Sequence, residues 1–362
     1  MKGYGIIGAG AFGAEYARII SQMENCKLIT VYSPGQGAKR VSQEVGCKAV
    51  SNIEDLLSDK NIDAVIVVSP NYLHKEHVIA AAKAGKQIYC EKPVALSVSD
   101  VKEMLDACRS AGVTFMVGHI MHYYAGIAEV KRRIDEGEFG VIVNAHVERT
   151  GWEDKQEKVS WKKMQDKSGG HLFHHIHEID IVQWIMGNPE IVYCAGGNFA
   201  HKGPGFGDED DILLVTVTFK NGVASFQYGS GFRMGNHFIR INGTKASALI
   251  SFPEAKIKIL HENKEIEEIP LFSDEKSAKA IFELFSKTDG GIHYAKPGDR
   301  PPEYIQVSLR EEIELFNSVI NGASYPEDKK DLFDGTSAIN SVAISEAALI
   351  SKEKGMPIKI EN

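Results

Sequence analysis

The order of apolar and polar positions changes character about a third of the way along the chain. Up to residue 120, short apolar runs alternate with stretches whose apolar residues recur every three or four positions. Residues 4–7, 27–32, 62–68, 87–90 and 114–118 read as strands. The run 62–68 is nearly unbroken Ile, Ala and Val, as in a strand buried on both faces. Helical spacing appears around Ile53, Leu56 and Leu57, over residues 73–84 up to Gly85, and through Val101, Met104, Leu105 and Cys108 to Gly112. Ser97, with Asp100 three residues on, suits the start of the last of these. Alternating strands and helices predict βαβ units, a parallel sheet and right-handed crossovers.

Beyond residue 120 the period changes. A helix through Ile127, Val130 and Ile134 is followed by period-two alternation over residues 141–149, 211–219, 223–228, 238–241, 246–252 and 256–260. Asn221-Gly222 and Asn242-Gly243 mark hairpin turns. Residues 272–302, with Gly290-Gly291 and Pro301-Pro302, read as an irregular excursion, and helices return over 307–320 and 335–354. The expected organisation is a Rossmann α/β domain over 1–120 and an α+β domain with a large, open, mainly antiparallel sheet over 121–330. A C-terminal helix within 331–362 is expected to pack back on the first domain.

The 362 residues suffice for two cores, and the net charge of −8 with interspersed signs argues against nucleic-acid binding. No run approaches the ~18 apolar residues of a membrane span, and no secretory h-region precedes the first strand. Five scattered cysteines without CxxC spacing point to reduced thiols and a cytoplasmic protein.

Chemistry concentrates in three places. The first is Gly8-Ala9-Gly10-Ala11-Phe12-Gly13, which follows an apolar run and opens an amphipathic segment. In that context Gly8 makes the tight turn, Gly10 admits a pyrophosphate to the backbone, and Gly13 lets helix and strand pack closely. The N–H groups of the helix start, at Ala11, Phe12 and Gly13, favour an anion. The second place comprises two strand ends, Ser69-Pro70-Asn71 through His74, and Glu91-Lys92-Pro93. Ligands in open α/β sheets bind beyond such ends. The first of these would wall the nicotinamide ribose. At the second, a lysine can stabilise a developing alkoxide, and Pro93 admits a cis bond.

The third place is Gly169-Gly170-His171-Leu172-Phe173-His174-His175-Ile176-His177-Glu178-Ile179-Asp180, whose spacing puts His174, His177 and Glu178 on one helix face. Histidine can remove a hydroxyl proton near neutral pH when a carboxylate orients it. A metal held by His171, His174, His175 or Glu178 is the competing reading; no recognised metal spacing is present, and no metal is expected.

In this ordered set the chain resembles the Gfo/Idh/MocA oxidoreductases, which include glucose–fructose oxidoreductase and inositol dehydrogenase. The resemblance spans nearly the whole chain, from the glycine turn to Asp334-Gly335. It implies a hydride-transferring enzyme acting on a secondary hydroxyl or carbonyl of a sugar, glycoside or cyclitol, assembled as a homo-oligomer. It also implies that Lys92 and His177 are the catalytic pair. Many relatives carry an aspartate four residues before the catalytic histidine; here Phe173 stands there with His174 beside it, so either His174 substitutes in an imidazole-based relay or Lys92 and His177 act alone, and Asp180 or His174 is the group expected to orient the imidazole. His119, His122, Arg149, Trp152, Trp161 and Lys162 are candidates for holding the substrate. The acid that usually binds the ribose 2′-OH is replaced by Ser33, with Lys39 and Arg40 beyond, which leaves NAD and NADP open with a lean to NADP. Three rival functions are a glycosidase using tightly bound NAD in a transient C3 oxidation, a glycoside 3-dehydrogenase serving a separate lyase, and a non-catalytic dinucleotide sensor.

Overall fold

The structure, a computed structural model, describes residues 1–286 and 300–361. The chain divides into two compact units, one of residues 1–120 and 300–339 and the other of residues 121–286 and 340–361.

In the first unit six strands, β1 (Lys2–Ile7), β2 (Cys26–Tyr32), β3 (Lys48–Val50), β4 (Ala64–Val67), β5 (Gln87–Glu91) and β6 (Phe115–Gly118), form a parallel sheet in the order β3-β2-β1-β4-β5-β6. Every pairing is parallel. The order reverses between β1 and β4, so the strand ends that carry the glycine turn and Ser69 diverge there and leave a crevice. All four residues of β4 are buried, as expected of a central strand covered on both faces. The helix Ala11–Gln22 packs on β1 and β2, and the helix Glu303–Ile320 packs on Ala11–Gln22.

That last helix was expected in the second domain, within 121–330; the division places it in the first unit. Its buried Tyr304, Ile305, Leu309, Ile313 and Phe316 supply the reason. Phe316 is fully buried, its ring edge-on to Tyr4 of β1 and Tyr89 of β5, and Tyr4 donates to Asn317 at 2.9 Å. The short helix Lys330–Asp334 lies on β6, while the long helix Thr336–Lys354 passes into the second unit at Asn340.

The second unit is a nine-stranded sheet of β7 (Ile142–Thr150), β8 (Pro189–Gly197), β9 (Ile212–Phe219), β10 (Gly222–Gly229), β11 (His237–Gly243), β12 (Ser247–Ser251), β13 (Lys256–Leu260), β14 (Ile266–Pro270) and β15 (Ile358–Lys359). Its order is β14-β13-β12-β11-β7-β10-β9-β8-β15, antiparallel except where β7 and β10 run side by side in parallel. Alternation along β9 buries Leu213, Val215, Val217 and Phe219 and turns Leu214 outward. β8, β14 and β15 were not expected, nor was β3 in the first sheet. Part of the stretch 272–302 is helical, over Glu275–Ser286, rather than irregular; Gly290-Gly291 lie outside the described residues.

The β9–β10 hairpin turns on Lys220-Asn221, because Phe219 pairs with Gly222. Gly222 is needed for a different reason than the turn: a Cβ there would meet Val143 O at 2.4 Å. No described helix is long and apolar enough to cross a membrane.

Replacing Phe316 by Ala leaves a void beneath β1 and β5. Urea unfolding of Phe316→Ala is expected to show a loss of about 3–5 kcal/mol, with the transition still cooperative.

Candidate active site

The glycine turn meets the demands of a dinucleotide cradle atom by atom. Gly8 has φ +120°, and a Cβ on it would meet Val68 O at 2.6 Å. A Cβ on Gly13 would lie 2.1 Å from Gly8 O, so only glycine lets helix and strand close on each other. A Cβ on Gly10 would meet nothing within 4 Å, so the backbone there lies open to an approaching group. Gly10 caps the helix Ala11–Gln22 without a side-chain bond, and the first turn, with Ala11 and Phe12, carries no acid. These are the requirements of a pyrophosphate.

Ser33 follows β2, its Oγ 3.5 Å from Gly35 N. Arg40 reaches back to donate to Ala9 O at 3.3 Å, whereas Lys39 points outward, exposed. Past β4, Pro70 leads into the single turn Asn71–Leu73, in which Asn71 is buried. His74 joins two strand ends: its Nε2 lies 2.8 Å from Ser69 O and its Nδ1 2.9 Å from Pro93 O. Burial, working against those carbonyls, brings its pKa down to about 4. Ser69 Oγ lies 2.8 Å from His77 Nδ1, a residue not singled out in the sequence.

Lys92 follows β5 and its bond to Pro93 is cis. The Lys92 N–H donates to Glu91 Oε2 at 3.1 Å, and Tyr16 donates to Glu91 Oε1 at 2.5 Å. Burial raises the Glu91 carboxyl, opposed by Tyr16 and by the Lys92 charge. His119, buried, directly follows β6.

In the second unit the histidine run departs from the expected single helix. It forms His171–His174 and His177–Met186, broken at His175 with φ −108° and ψ 42°. The break removes the shared face expected for His174 and Glu178. His174 is half-buried, edge-on to His175 with ring centres 4.9 Å apart. His177 and Glu178 are buried at the start of the second helix. His171 lies 3.3 Å from Ser230 Oγ and 3.4 Å from Glu209; burial, reinforced by Lys163, lowers its pKa to about 3.

Glu178 faces a row of three side chains on adjacent strands. Tyr228 of β10, Arg149 of β7 and His237 of β11 are register partners. Arg149 pairs with Glu178 Oε1, His237 Nε2 lies 2.6 Å from the same oxygen, and Tyr228 donates to Glu178 Oε2 at 3.5 Å. Burial raises the Glu178 carboxyl, but Arg149 and His237 outweigh it and hold the pKa at about 2. Arg149, a substrate candidate, is thus engaged with a protein carboxylate. His122 is likewise engaged, 2.6 Å from Asp180 and with its ring centre 4.0 Å from that of Trp184, the two planes tilted by 30°, and Asp180 also accepts from Gln183 at 3.0 Å. Trp152 carries the Arg233 guanidinium 3.6 Å above its ring. Trp161 and Lys162 sit half-buried in the single turn Trp161–Lys163, capped by Ser160.

Sequence reasoning missed Tyr228 and His237, whose alternation marks them only as inward-facing. Since the folded pKa of Glu178 lies below its ordinary 4.5, its contribution is complete above that value and fades as pH falls towards 2. Glu178→Gln is expected to cost about 3 kcal/mol at neutral pH in denaturant unfolding, the gap to wild type narrowing from about pH 5 downwards.

Residues 2–119 match the family model described as the oxidoreductase family, NAD-binding Rossmann fold, and residues 131–360 match its C-terminal alpha/beta domain. The chain is 42% identical to 2,7-anhydro-N-acetylneuraminate hydratase of Escherichia coli strain K12, over 99% of this chain and 97% of that protein. It is 37% identical to the hydratase of the same name from Mediterraneibacter gnavus, over 99% and 96%. It is 30% identical to the scyllo-inositol 2-dehydrogenase (NAD(+)) of Bacillus subtilis strain 168, over 68% and 72%. Two matched models covering almost the entire chain, on a fold whose glycine turn has the required openings, establish that it belongs to the Gfo/Idh/MocA oxidoreductase family and carries that family's NAD-binding Rossmann domain.

Proposed function

We propose that this chain hydrates 2,7-anhydro-N-acetylneuraminate or a closely similar anhydro sugar acid, with no net oxidation. The observation that carries the reading is the end-to-end likeness to two hydratases; the inositol dehydrogenase is matched over about two thirds of the chain. The alternative of a transient oxidation that opens a C–O bond therefore takes precedence over net dehydrogenation.

Hydration adds the elements of water across a C–O bond and leaves the oxidation level unchanged, so a nicotinamide cofactor must be restored within each turnover. NAD, when bound, supplies a hydride acceptor and returns the hydride at the end. His177 takes the proton of the hydroxyl to be oxidised, and Lys92 stabilises the alkoxide that forms. The resulting ketone acidifies the neighbouring C–H. Because His177 then carries the hydroxyl proton, a second base of the run, His174, removes the C–H proton, and the anhydro oxygen leaves from the next carbon with the proton held by His177. Water then adds to that carbon, the C–H proton is restored, and the ketone is reduced by the reverse of the first step. Asp180 orients the His177 imidazole, with His174 as the alternative.

A sugar acid also brings a carboxylate. Lys162 is a half-buried cation with no acidic partner among the described residues, whereas Lys163 beside it pairs with Glu153 at 2.9 Å and Glu209 at 2.7 Å. Burial, and then the charge of Lys163, lowers the Lys162 pKa, which is the situation a substrate carboxylate would relieve.

With 2,7-anhydro-N-acetylneuraminate and a small amount of NAD, chromatography is expected to show N-acetylneuraminate in many-fold excess over cofactor. NADH rising in step with substrate loss would instead identify a net dehydrogenase. Running the assay with NADP tests the preference suggested by Ser33. Lys92→Ala is expected to lower kcat by about 10²–10³-fold, and wild-type turnover in that variant would remove Lys92 from the mechanism. Lys162→Ala is expected to raise KM about ten- to a hundredfold with a smaller change in kcat; an unchanged KM would exclude the carboxylate contact.

A further inference from the structure

Behind Lys92, inside the first unit, four side-chain oxygens stand in line. Glu91 Oε1 lies 2.5 Å from Tyr16 Oη, which lies 2.8 Å from Tyr89 Oη, which lies 2.6 Å from Glu312 Oε2. Tyr16, Tyr89 and Glu312 are fully buried and Glu91 nearly so. Gly118 of β6 makes room for the line, since a Cβ there would lie 2.2 Å from Tyr89 Oη.

Three gaps of this length need three hydrogens. The two tyrosines bring two. Were both carboxyls ionised, one gap would set lone pair against lone pair and leave two anions away from water. The third hydrogen must come from a carboxyl, so the line holds one proton between Glu91 and Glu312. At rest it belongs on Glu312. Glu91 accepts from the Lys92 N–H and feels the Lys92 charge. Glu312 faces the like charges of Glu91 and Glu311, and its Oε1 has no hydrogen-bond partner among the described residues. The other titratable groups close by, Cys90 on β5 and Cys108 on the helix Val98–Ala111, have thiols that burial pushes up and keeps neutral.

We propose that Tyr16, Tyr89 and Glu312 are positioning residues that hold a proton in reserve for Glu91 and thereby set the charge state of Lys92. When the ammonium charge beside it is lost, Glu91 Oε1 takes the Tyr16 hydrogen, Tyr16 takes that of Tyr89, and Tyr89 takes that of Glu312. Three O–H bonds break and three form, and the negative charge moves from Glu91 to Glu312. Return of the proton to Lys92 reverses the order. The inference rests on the reading that Lys92 acts on the reacting hydroxyl.

Glu312→Gln offers an N–H that can donate to Tyr89 but cannot be transferred. With one shared proton, wild type and E312Q carry the same native charge in capillary electrophoresis at neutral pH. Glu314→Gln, which neutralises an exposed carboxylate on the same helix, shifts by one charge. A one-charge difference between wild type and E312Q overturns the shared proton. Infrared spectra of wild type should contain the carbonyl stretch of a protonated carboxylic acid; its absence overturns the claim even if E312Q fails to fold. In folded E312Q, Glu91 stays anionic, so the limb of the kcat/KM profile governed by Lys92 is expected to move up by about one pH unit. An unmoved limb overturns the coupling. Should the hydratase reading fail for want of turnover, the charge and infrared measurements still decide the proton count.

Discussion

A first side-chain carbon at position 13 would sit 2.1 Å from the carbonyl oxygen of residue 8. That exclusion governs the architecture of the first unit. Because the helix Ala11–Gln22 can close on β1 only through glycine, its uncapped N-terminus is held at the point where the sheet order reverses between β1 and β4. The same closure carries Tyr16, one turn further on, to the oxygen of Glu91. A requirement for close packing thus fixes both the anion-binding end of the helix and a polar contact beneath the lysine that the proposed reaction uses.

Glu178 and Glu312 meet burial in different ways. In the second unit, Glu178 is matched by a guanidinium and an imidazole, and the balance keeps it ionised. In the first, no cation among the described residues stands against Glu312, and burial raises its carboxyl well above the ordinary range. A carboxylate buried with compensating donors is a fixed anion; one buried without them is a place to store a proton. Chemistry that moves protons and then restores them has use for both.

The sequence made the parallel sheet, the glycine turn and most of the later strands readable, because each depends on periodicity within a dozen residues. What it hid depends on distant partners. The helix Glu303–Ile320 belongs with the first unit because Phe316 and Asn317 meet Tyr4 and Tyr89, contacts spanning over 200 residues that no local pattern encodes. Glu312 did leave a trace, a carboxyl on the apolar stripe of Leu309, Ile313 and Phe316. The break at His175 left none: His171, His174, His177 and Glu178 keep helical spacing through it, and no glycine or proline interrupts them. Of the site residues named from sequence, Gly8 and Gly13 stand where a Cβ would strike backbone, and Gly10 where it would meet nothing within 4 Å. Arg149 and His122 are tied to Glu178 and Asp180, partnerships that spacing alone could not foresee.

The row of Tyr228, Arg149 and His237 makes the second sheet's alignment chemically self-checking. Side chains alternate between the faces of a strand, so a slip of β10, β7 or β11 by one residue would turn its member of the row to the opposite face. Glu178 would then keep its burial and lose part of its compensation. A misaligned sheet would incur both its lost apolar contacts and a stranded charge, which separates the correct pairing from its nearest competitors more sharply than hydrophobic matching alone. Substitutions on the outward faces of these strands should be tolerated far more readily than any that disturbs their alignment.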